Sequence, residues 1–270
     1  MSKKIYRNKG CVKISSWIQL RITNCKFGDD YILGDLSKYL EILRNKKQIK
    51  SWFFLNKNDS ILLKIESADK YSNKFLDVIK YLKQNGPRIN VTTEPFEPEI
   101  FQFGGKTGWA VASKYFNSIS VLSIKSIKSK ITNINAAIVL VFDLLMRNNS
   151  DSFEVWDIMQ RLMIIRGVSQ DYSSAGIEKN TIYQNINTLF NKPDKFYLET
   201  FKNTKMIKEV VAASKYCLRE LKKNERSLIF SHRKILPYYV IFIFNMLLIS
   251  ESEQKDIIKS MSVLCNPGKY

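Results

Sequence analysis

The chain is poor in the residues that metal and acid–base sites usually draw on. It holds one histidine, His232, and four cysteines, Cys11, Cys25, Cys217 and Cys265, none in a Cys-x-x-Cys pair. That inventory does not make a standard zinc or iron–sulfur site, and no metal or other cofactor is expected. Scattered cysteines and the lack of a hydrophobic leader at the N-terminus place the protein in a reducing cytoplasm. Long apolar runs are also missing. The longest, ILPYYVIFIFNMLLI at 235–249, is broken by Pro237 and Asn245 and falls short of the roughly 20 residues of a membrane-spanning helix, so it reads as core.

Acidic residues are few: 25 Asp and Glu against 43 Lys and Arg, a formal net charge of +18. Such a surface attracts an acidic partner. The lysines run from end to end, with no zinc finger and no aromatic-glycine RNP box, so nucleic acid is not the expected partner. Glycine is scarce too, with ten in the chain. One pair stands in EPEIFQFGGKTG, residues 97–108, whose Gly-Gly-Lys-Thr resembles the end of a phosphate-binding loop. A Walker loop needs a first glycine at the position held here by Ile100, and Glu97 and Glu99 would set carboxylates beside the phosphates, so nucleotide binding is excluded. No Gly-x-Ser-x-Gly elbow is present, and Ser231 beside His232 is too close in sequence to imply a hydrolase triad.

What is present is an α+β pattern. Ile18, Leu20 and Ile22 alternate with Gln19 and Arg21, a half-buried strand. A helix follows, with Asp35 as its cap and Leu36, Tyr39, Leu40 and Leu43 on one face. Runs 52–55 and 61–65 around Asn-Lys-Asn-Asp predict a hairpin, and a second helix spans 73–84 before the Asn85-Gly86-Pro87 stop. Two more strands are expected at 89–93 and 99–103. The sheet-rich part is thus about 10–108, an antiparallel or mixed sheet with helices packed on one face. The helix-rich part is 109–270, with helices near 109–127, 134–147, 152–166, 205–223 and 252–264. Residues 167–204 are turn-rich, and 167–181 are the expected excursion. The whole chain, 1–270, reads as a single domain.

The EPEIFQFGG stretch followed by a helix carrying Ala112 and Phe116, Trp17 near the first strand, and Trp52-Phe53-Phe54-Leu55 together resemble the thiopeptide-type bacteriocin biosynthesis domain. This is the fold of the lantibiotic dehydratase elimination domain. The resemblance covers about 15–125, with a weaker echo at 226–262. It implies that Gly104 and Gly105 make a strand-to-helix turn. Elimination enzymes of the family carry arginines in Ile-Arg-Tyr and His-Leu-Arg-Leu-Arg strands and a histidine in a His-Met-x-x-Asn-Arg helix. Here Asn56, Leu62 and Lys64 stand at the arginine positions, Ile241 at the histidine, and Met246 at the last arginine, while Asn245 keeps the asparagine.

A free-standing member without those groups resembles the thiopeptide pyridine synthases. These enzymes join two dehydroalanines of a leader-bearing precursor peptide by a formal [4+2] aza-cycloaddition and expel water and the leader. The implied partner is a precursor with an acidic leader, alongside other biosynthetic enzymes. The candidate catalytic residues are Ser231, His232, Tyr238 and Tyr239, whose hydroxyls and imidazole can shuttle protons near neutral pH. The candidate substrate contacts are Glu97 and Glu99 on one strand face, Asn245 and Arg233. The alternatives are a split glutamate-elimination subunit, a noncatalytic leader-binding scaffold and an RNA-binding protein. Each residue also has a plainer use: the tyrosines as core, the glutamates as clamps for the turn, and Asn245 as a tie between helices.

Overall fold

A computed structural model describes residues 17–24, 30–57, 60–68, 74–85, 89–96, 99–129, 131–146, 151–169 and 177–269. Cys11, Cys25, Glu97, the Gly86-Pro87 stop and the centre of the expected 167–181 excursion lie outside them.

Four strands, β1 (Trp17–Thr23), β2 (Ile49–Lys57), β3 (Ser60–Ser67) and β4 (Asn90–Glu94), form a sheet of order β2-β3-β1-β4 in which every pairing is antiparallel. The α1 helix (Asp30–Asn45) joins β1 to β2, and α2 (Lys74–Asn85) joins β3 to β4. Among the described residues eight helices follow: α3 (Lys106–Lys128), α4 (Asn133–Leu145), α5 (Ser152–Ile165), α6 (Thr181–Asn191), α7 (Pro193–Phe201), α8 (Thr204–Lys223), α9 (His232–Met246) and α10 (Glu251–Leu264).

Helices cover both faces of the sheet rather than one. Leu20, Ile22, Trp52, Phe54, Leu63 and Ile65 pack with Leu36, Leu40 and Leu43 of α1 and Val78 and Leu82 of α2. From the other face, Trp17, Phe53, Leu55 and Leu62 enter the larger helical core. Strands buried on both sides must be apolar without alternation, which is why 52–55 and 61–63 read as continuous apolar runs.

The outer edge of β2 is closed by side chains of α3. Asn117 donates to the Trp52 carbonyl at 2.8 Å, and Ser120 accepts from the Phe54 amide at 3.2 Å. These bonds satisfy backbone groups that would otherwise template another strand.

Three further expectations are corrected. Asp35 lies inside α1, accepting from Lys38 at 2.9 Å, and does not cap it. Residues 99–103 are a turn, not a strand. The described residues of the 167–204 region include the two helices α6 and α7. The first is capped by Asn180, whose side chain accepts from the Ile182 amide, and buries Ile182, Ile186 and Leu189; Pro193 starts the second.

Candidate functional site

The Glu99–Gly105 turn is the hub of the site. Glu99 accepts from the Phe103 amide, Phe101 from Gly104, and Ile100 from Gly105 at 2.8 Å. Gly104 and Gly105 have φ of +81° and +97°, a region open to glycine. A strand would need alternating extended residues, and two consecutive left-handed positions fold the chain back instead. Its carbonyls are used at once: Gly104 accepts from Ile229 and Gly105 from Trp109, tying the turn to the approach to α9 and to the start of α3. Phe103 is fully buried beneath it, with ring centroids 5.6 Å from Trp109, 5.3 Å from Phe116 and 5.1 Å from Phe242.

On its sheet side the turn meets a polar layer. Glu99 lies in the turn and not on a strand; its carboxylate lies 3.2 Å from the ammonium of Lys64. That lysine side chain is 3% exposed, and its charge sits 5.3 Å from the Phe96 ring and 5.8 Å from Phe53. A buried ammonium stands where it has both a carboxylate and aromatic faces to replace water.

Farther along the same sheet face, Arg21 donates from Nε and a terminal nitrogen to the two oxygens of Glu94, and from its other nitrogen to Ser60 at 2.7 Å. Gln19 donates to Glu94 at 2.9 Å. The Arg21 hydrogen bond holds the Glu94 carboxyl below its ordinary value, and the same bond raises Arg21. Arg21 faces Leu62 directly in the β1–β3 register. Sequence reasoning placed Arg21 on the polar side of β1 but gave it no role, because its partner arrives from β4, about 70 residues later.

Glu94 therefore contributes a pH-dependent increment of stability. With its folded value depressed, the increment is full above the ordinary value of 4.5 and is lost as pH falls through the lower folded value. Glu94→Gln should lower stability at neutral pH, with the gap to wild type closing in acid, as pH falls below the ordinary value of 4.5 and through the depressed folded one. Urea denaturation at neutral and at acid pH checks this; a gap of equal size in acid would refute the pairing.

The candidate residues on α9 are dispersed. Ser231 is the N-cap, exposed, with no side-chain cap bond. His232 opens the helix half-buried, its Nε2 enclosed without a hydrogen-bond partner. Arg233 reaches across to Glu154 at 2.8 Å. Tyr238 is half-buried and reaches a groove. Tyr239 points the other way, fully buried against Phe103, Tyr115 and Phe116, and burial pushes its hydroxyl well above the usual tyrosine range. Asn245 lies about 20 Å along the helix from His232, too far to share one small site with it. At that far end, Asn56 donates to the carbonyls of Asn245 at 2.9 Å and Met246 at 3.4 Å. The residue at the first arginine position is thus a clamp on the end of α9.

The groove lies between the turn, the last two turns of α5 and the first half of α9. It encloses about 360 Å³, with Phe101, Gln102, Phe230 and Tyr238 among its walls. Both tyrosines approach Phe103 of the turn, Tyr238 at 6.4 Å from the groove and Tyr239 at 5.3 Å from within the core, so only Tyr238 lines the groove, and Asn245 lies apart from it. Among the described residues no cluster of three or more His, Cys, Asp or Glu side chains is placed to hold a metal ion, and no helix is long and apolar enough to cross a membrane.

A comparison with curated protein sequences finds no match. Solved structures do share the fold. The tRNA-dependent lantibiotic dehydratase MibB from Microbispora sp. 107891 superposes with a TM-score of 0.68 at 11% identity over 94% of this chain; the chain spans only 28% of that protein's length. TsrL gives a TM-score of 0.54 at 12% identity, covering 93% of this chain and 94% of that one. TbtD, a pyridine synthase from thiomuracin biosynthesis, gives 0.51 at 10% identity, covering 92% and 97%. The family model for the lantibiotic biosynthesis dehydratase C-terminal region matches residues 17–261, nearly the whole described chain, and the protein belongs to that family.

Proposed function

We propose that the protein is a peptide-modifying cyclase of the thiopeptide pyridine synthase type, acting in the cytoplasm on a precursor with an acidic leader. The observation that carries this reading is what fills the places of the family's elimination groups. Leu62 is buried in the core, Asn56 is spent on the end of α9, Lys64 is held by Glu99, and Ile241 offers no proton. A buried leucine gives a glutamyl carboxylate nothing to bind.

Pyridine formation asks less of such residues. Two carbon–carbon bonds form, one between the methylene carbons of the two dehydroalanines and one from the α-carbon of the leader-bearing dehydroalanine to the imidic-acid carbon of the amide preceding the other, whose nitrogen becomes the ring nitrogen; water then leaves from that former carbonyl carbon, and the leader departs as an amide while the ring aromatises. Holding the two alkenes in register supplies much of the rate, since favourable intramolecular geometry removes on the order of 7–11 kcal/mol of barrier. The aromatic groove beside the turn is suited to that holding. Tyr238 is the proton-transfer group we assign, with Ser231 and His232 at the head of the same helix; Tyr239 is a core residue.

Incubating the purified chain with a precursor peptide bearing two dehydroalanines tests the reading by mass spectrometry. The expected products are a pyridine macrocycle and a leader amide, and Tyr238→Phe should slow their formation roughly tenfold or more. An untouched peptide would overturn the assignment.

One observation favours a second reading, a split glutamate-elimination subunit. Arg21 stands directly across the strand pair from Leu62, so a guanidinium is present on that sheet face although it comes from β1. A glutamylated peptide in the same assay distinguishes the two: loss of glutamate to give dehydroalanine, abolished by Arg21→Met, would establish elimination instead.

A further inference from the structure

We propose that the α8 helix and the cleft beside it bind a single-stranded nucleic acid, its phosphates along the helix and one base in the cleft. This goes beyond the function proposed above and does not depend on it. Along the sequence the lysines are spread from end to end, but helical geometry gathers some of them. Lys205, Lys208, Ala212, Lys215, Arg219 and Lys222 recur every three or four residues, which puts them on one face of α8, and all six are exposed. They lie opposite the buried face of Met206, Val210, Cys217 and Leu221. The stripe runs about 25 Å, with a cation roughly every 5 Å except at Ala212.

Helix stability does not account for these cations. No acidic residue stands in the first turn of α8, where the macrodipole favours one, and Lys205 stands there instead. Lys205 and Lys208, Lys215 and Arg219, and Arg219 and Lys222 are like charges three or four residues apart, which destabilise a helix. The fold does not use the lysines either. Among the described residues no ion pair is made by Lys205, Lys208, Lys215 or Lys222, while Arg219 lies 3.4 Å from Glu220. Glu209, the acid one turn beyond Lys205, is taken by Lys125 of α3 at 2.6 Å.

The cleft opens beside Ala212, between α8, α3 and α1, and encloses about 440 Å³. Val121, Leu122 and Ala213 give it an apolar lining, and Tyr216 stands in its wall with the Arg219 guanidinium 5.9 Å from its ring. Its charges are matched internally, Arg44 with Glu41 and Lys125 with Glu209, so a neutral and partly apolar space adjoins a row of unpaired cations. A flat neutral base on a charged backbone has that same division, and every base can stack on an aromatic or guanidinium plane. Other partners fit less well. Lysine is depleted in protein–protein interfaces, whose cores hold aromatic and apolar anchors, and among the described residues α8 exposes no large apolar side chain. The same lack disfavours a lipid surface, which an amphipathic helix enters by its apolar face.

The test uses the full chain and fluorescein-labelled oligomers of uridylate and of thymidylate, about 12 nucleotides long, read by fluorescence anisotropy. Binding is expected with a Kd on the order of 1–100 μM at about 0.15 M salt, and log K should fall against log salt with a slope of about −3.5, roughly −0.7 for each of five phosphates. Lys208→Ala combined with Lys215→Ala should weaken binding about tenfold and make the slope shallower by about 1.4. Lys80→Ala combined with Lys83→Ala, the same loss of charge on α2 across the sheet, should leave affinity within about twofold. Tyr216→Ala should weaken binding about tenfold with the slope unchanged, because losing a stacked base releases no counterion. The four lysines are exposed and Tyr216 is half-buried, and circular dichroism verifies that each variant keeps the fold.

The proposal falls if neither oligomer binds, if the α8 and α2 lysine pairs lower the affinity alike, or if Tyr216→Ala binds as wild type does. It falls equally if a duplex of the same length binds more tightly than either single strand. Displacement of the oligomer by poly-glutamate as readily as by unlabelled uridylate would also overturn it, making the stripe a contact for an acidic polypeptide. A preference for uridylate names RNA as the ligand, and equal affinity names single strands of either sugar; both uphold the site. Pyridine formation is scored separately. Its failure leaves the binding result standing, and failure of the oligomers to bind leaves the peptide reaction standing.

Discussion

Replacing Phe103 with alanine should lower the stability of the protein by about 3–5 kcal/mol, as expected for deleting a fully enclosed aromatic ring. The ring sits where three parts of the chain meet. Trp109 and Phe116 approach it from α3, Phe242 and Tyr239 from α9, all with centroids between 5.1 and 5.6 Å, and its own backbone begins the Gly-Gly turn. Such close partners leave little freedom to collapse into the vacated space, which puts the loss toward the upper end. Phe103→Leu keeps most of the volume and should cost less than about 1.5 kcal/mol if the neighbours repack. Urea denaturation of both variants measures the pair. A loss below about 1 kcal/mol for alanine would mean that the turn is not seated on this cluster.

Gly108→Ala is the sharper test because two principles predict opposite signs. Gly108 is the third residue of α3, where helix propensity alone makes alanine more stable by about 0.5–1 kcal/mol. The tertiary structure says otherwise. A β-carbon at this position would lie 1.7 Å from the Phe103 carbonyl oxygen and 2.9 Å from its carbon, both backbone atoms that no rotamer change can move aside. The turn would have to lift off the helix. We expect destabilisation of roughly 3 kcal/mol, at the severe end of overpacking, and a melting midpoint lower by about 6 °C or more. A variant as stable as wild type, or more so, would show that the turn and α3 are not in contact. Tyr238 and Phe101 share the displaced groove, so turnover should fall at temperatures where the variant is still folded.

The two substitutions also separate what local pattern predicts from what packing decides. Period-two alternation in 17–22, the turn residues between 52–55 and 61–65, and helical spacing in 109–127 and 205–223 located elements correctly, because each depends on residues a few positions apart. The 99–103 segment misled for the same reason. Its β-prone Ile100, Phe101 and Phe103 read locally as a strand, while the conformation is set by the consecutive positive φ of Gly104 and Gly105 and by Ile229, which bonds to the turn from over a hundred residues away. Asp35 has the composition of a cap and is held inside a helix that starts earlier.

The candidate site was legible in part. The family motif pointed to the Gly-Gly turn, and Tyr238 does meet it. Tyr239, its neighbour in sequence, packs on Phe103 from the core side and does not line the groove, since adjacent residues on a helix point about 100° apart. Arg21, Gln19 and Glu94 gave no signal, because a bidentate pair across β1 and β4 depends on a strand register that no local pattern encodes.

The sequence by itself determined the α+β class and the residues available for chemistry, which follow from composition and short-range periodicity, and its motifs carried the resemblance that identified the family. Only the tertiary structure decided which of those residues share a surface. It seats Lys64 beside Glu99, turns Asn56 to the end of α9 and gathers exposed apolar side chains from the turn and α5 around one groove. The reason is physical: hydrogen bonds and burial between distant segments form only once the sheet and helices have packed, so their partners are fixed by the fold and not by neighbours along the chain.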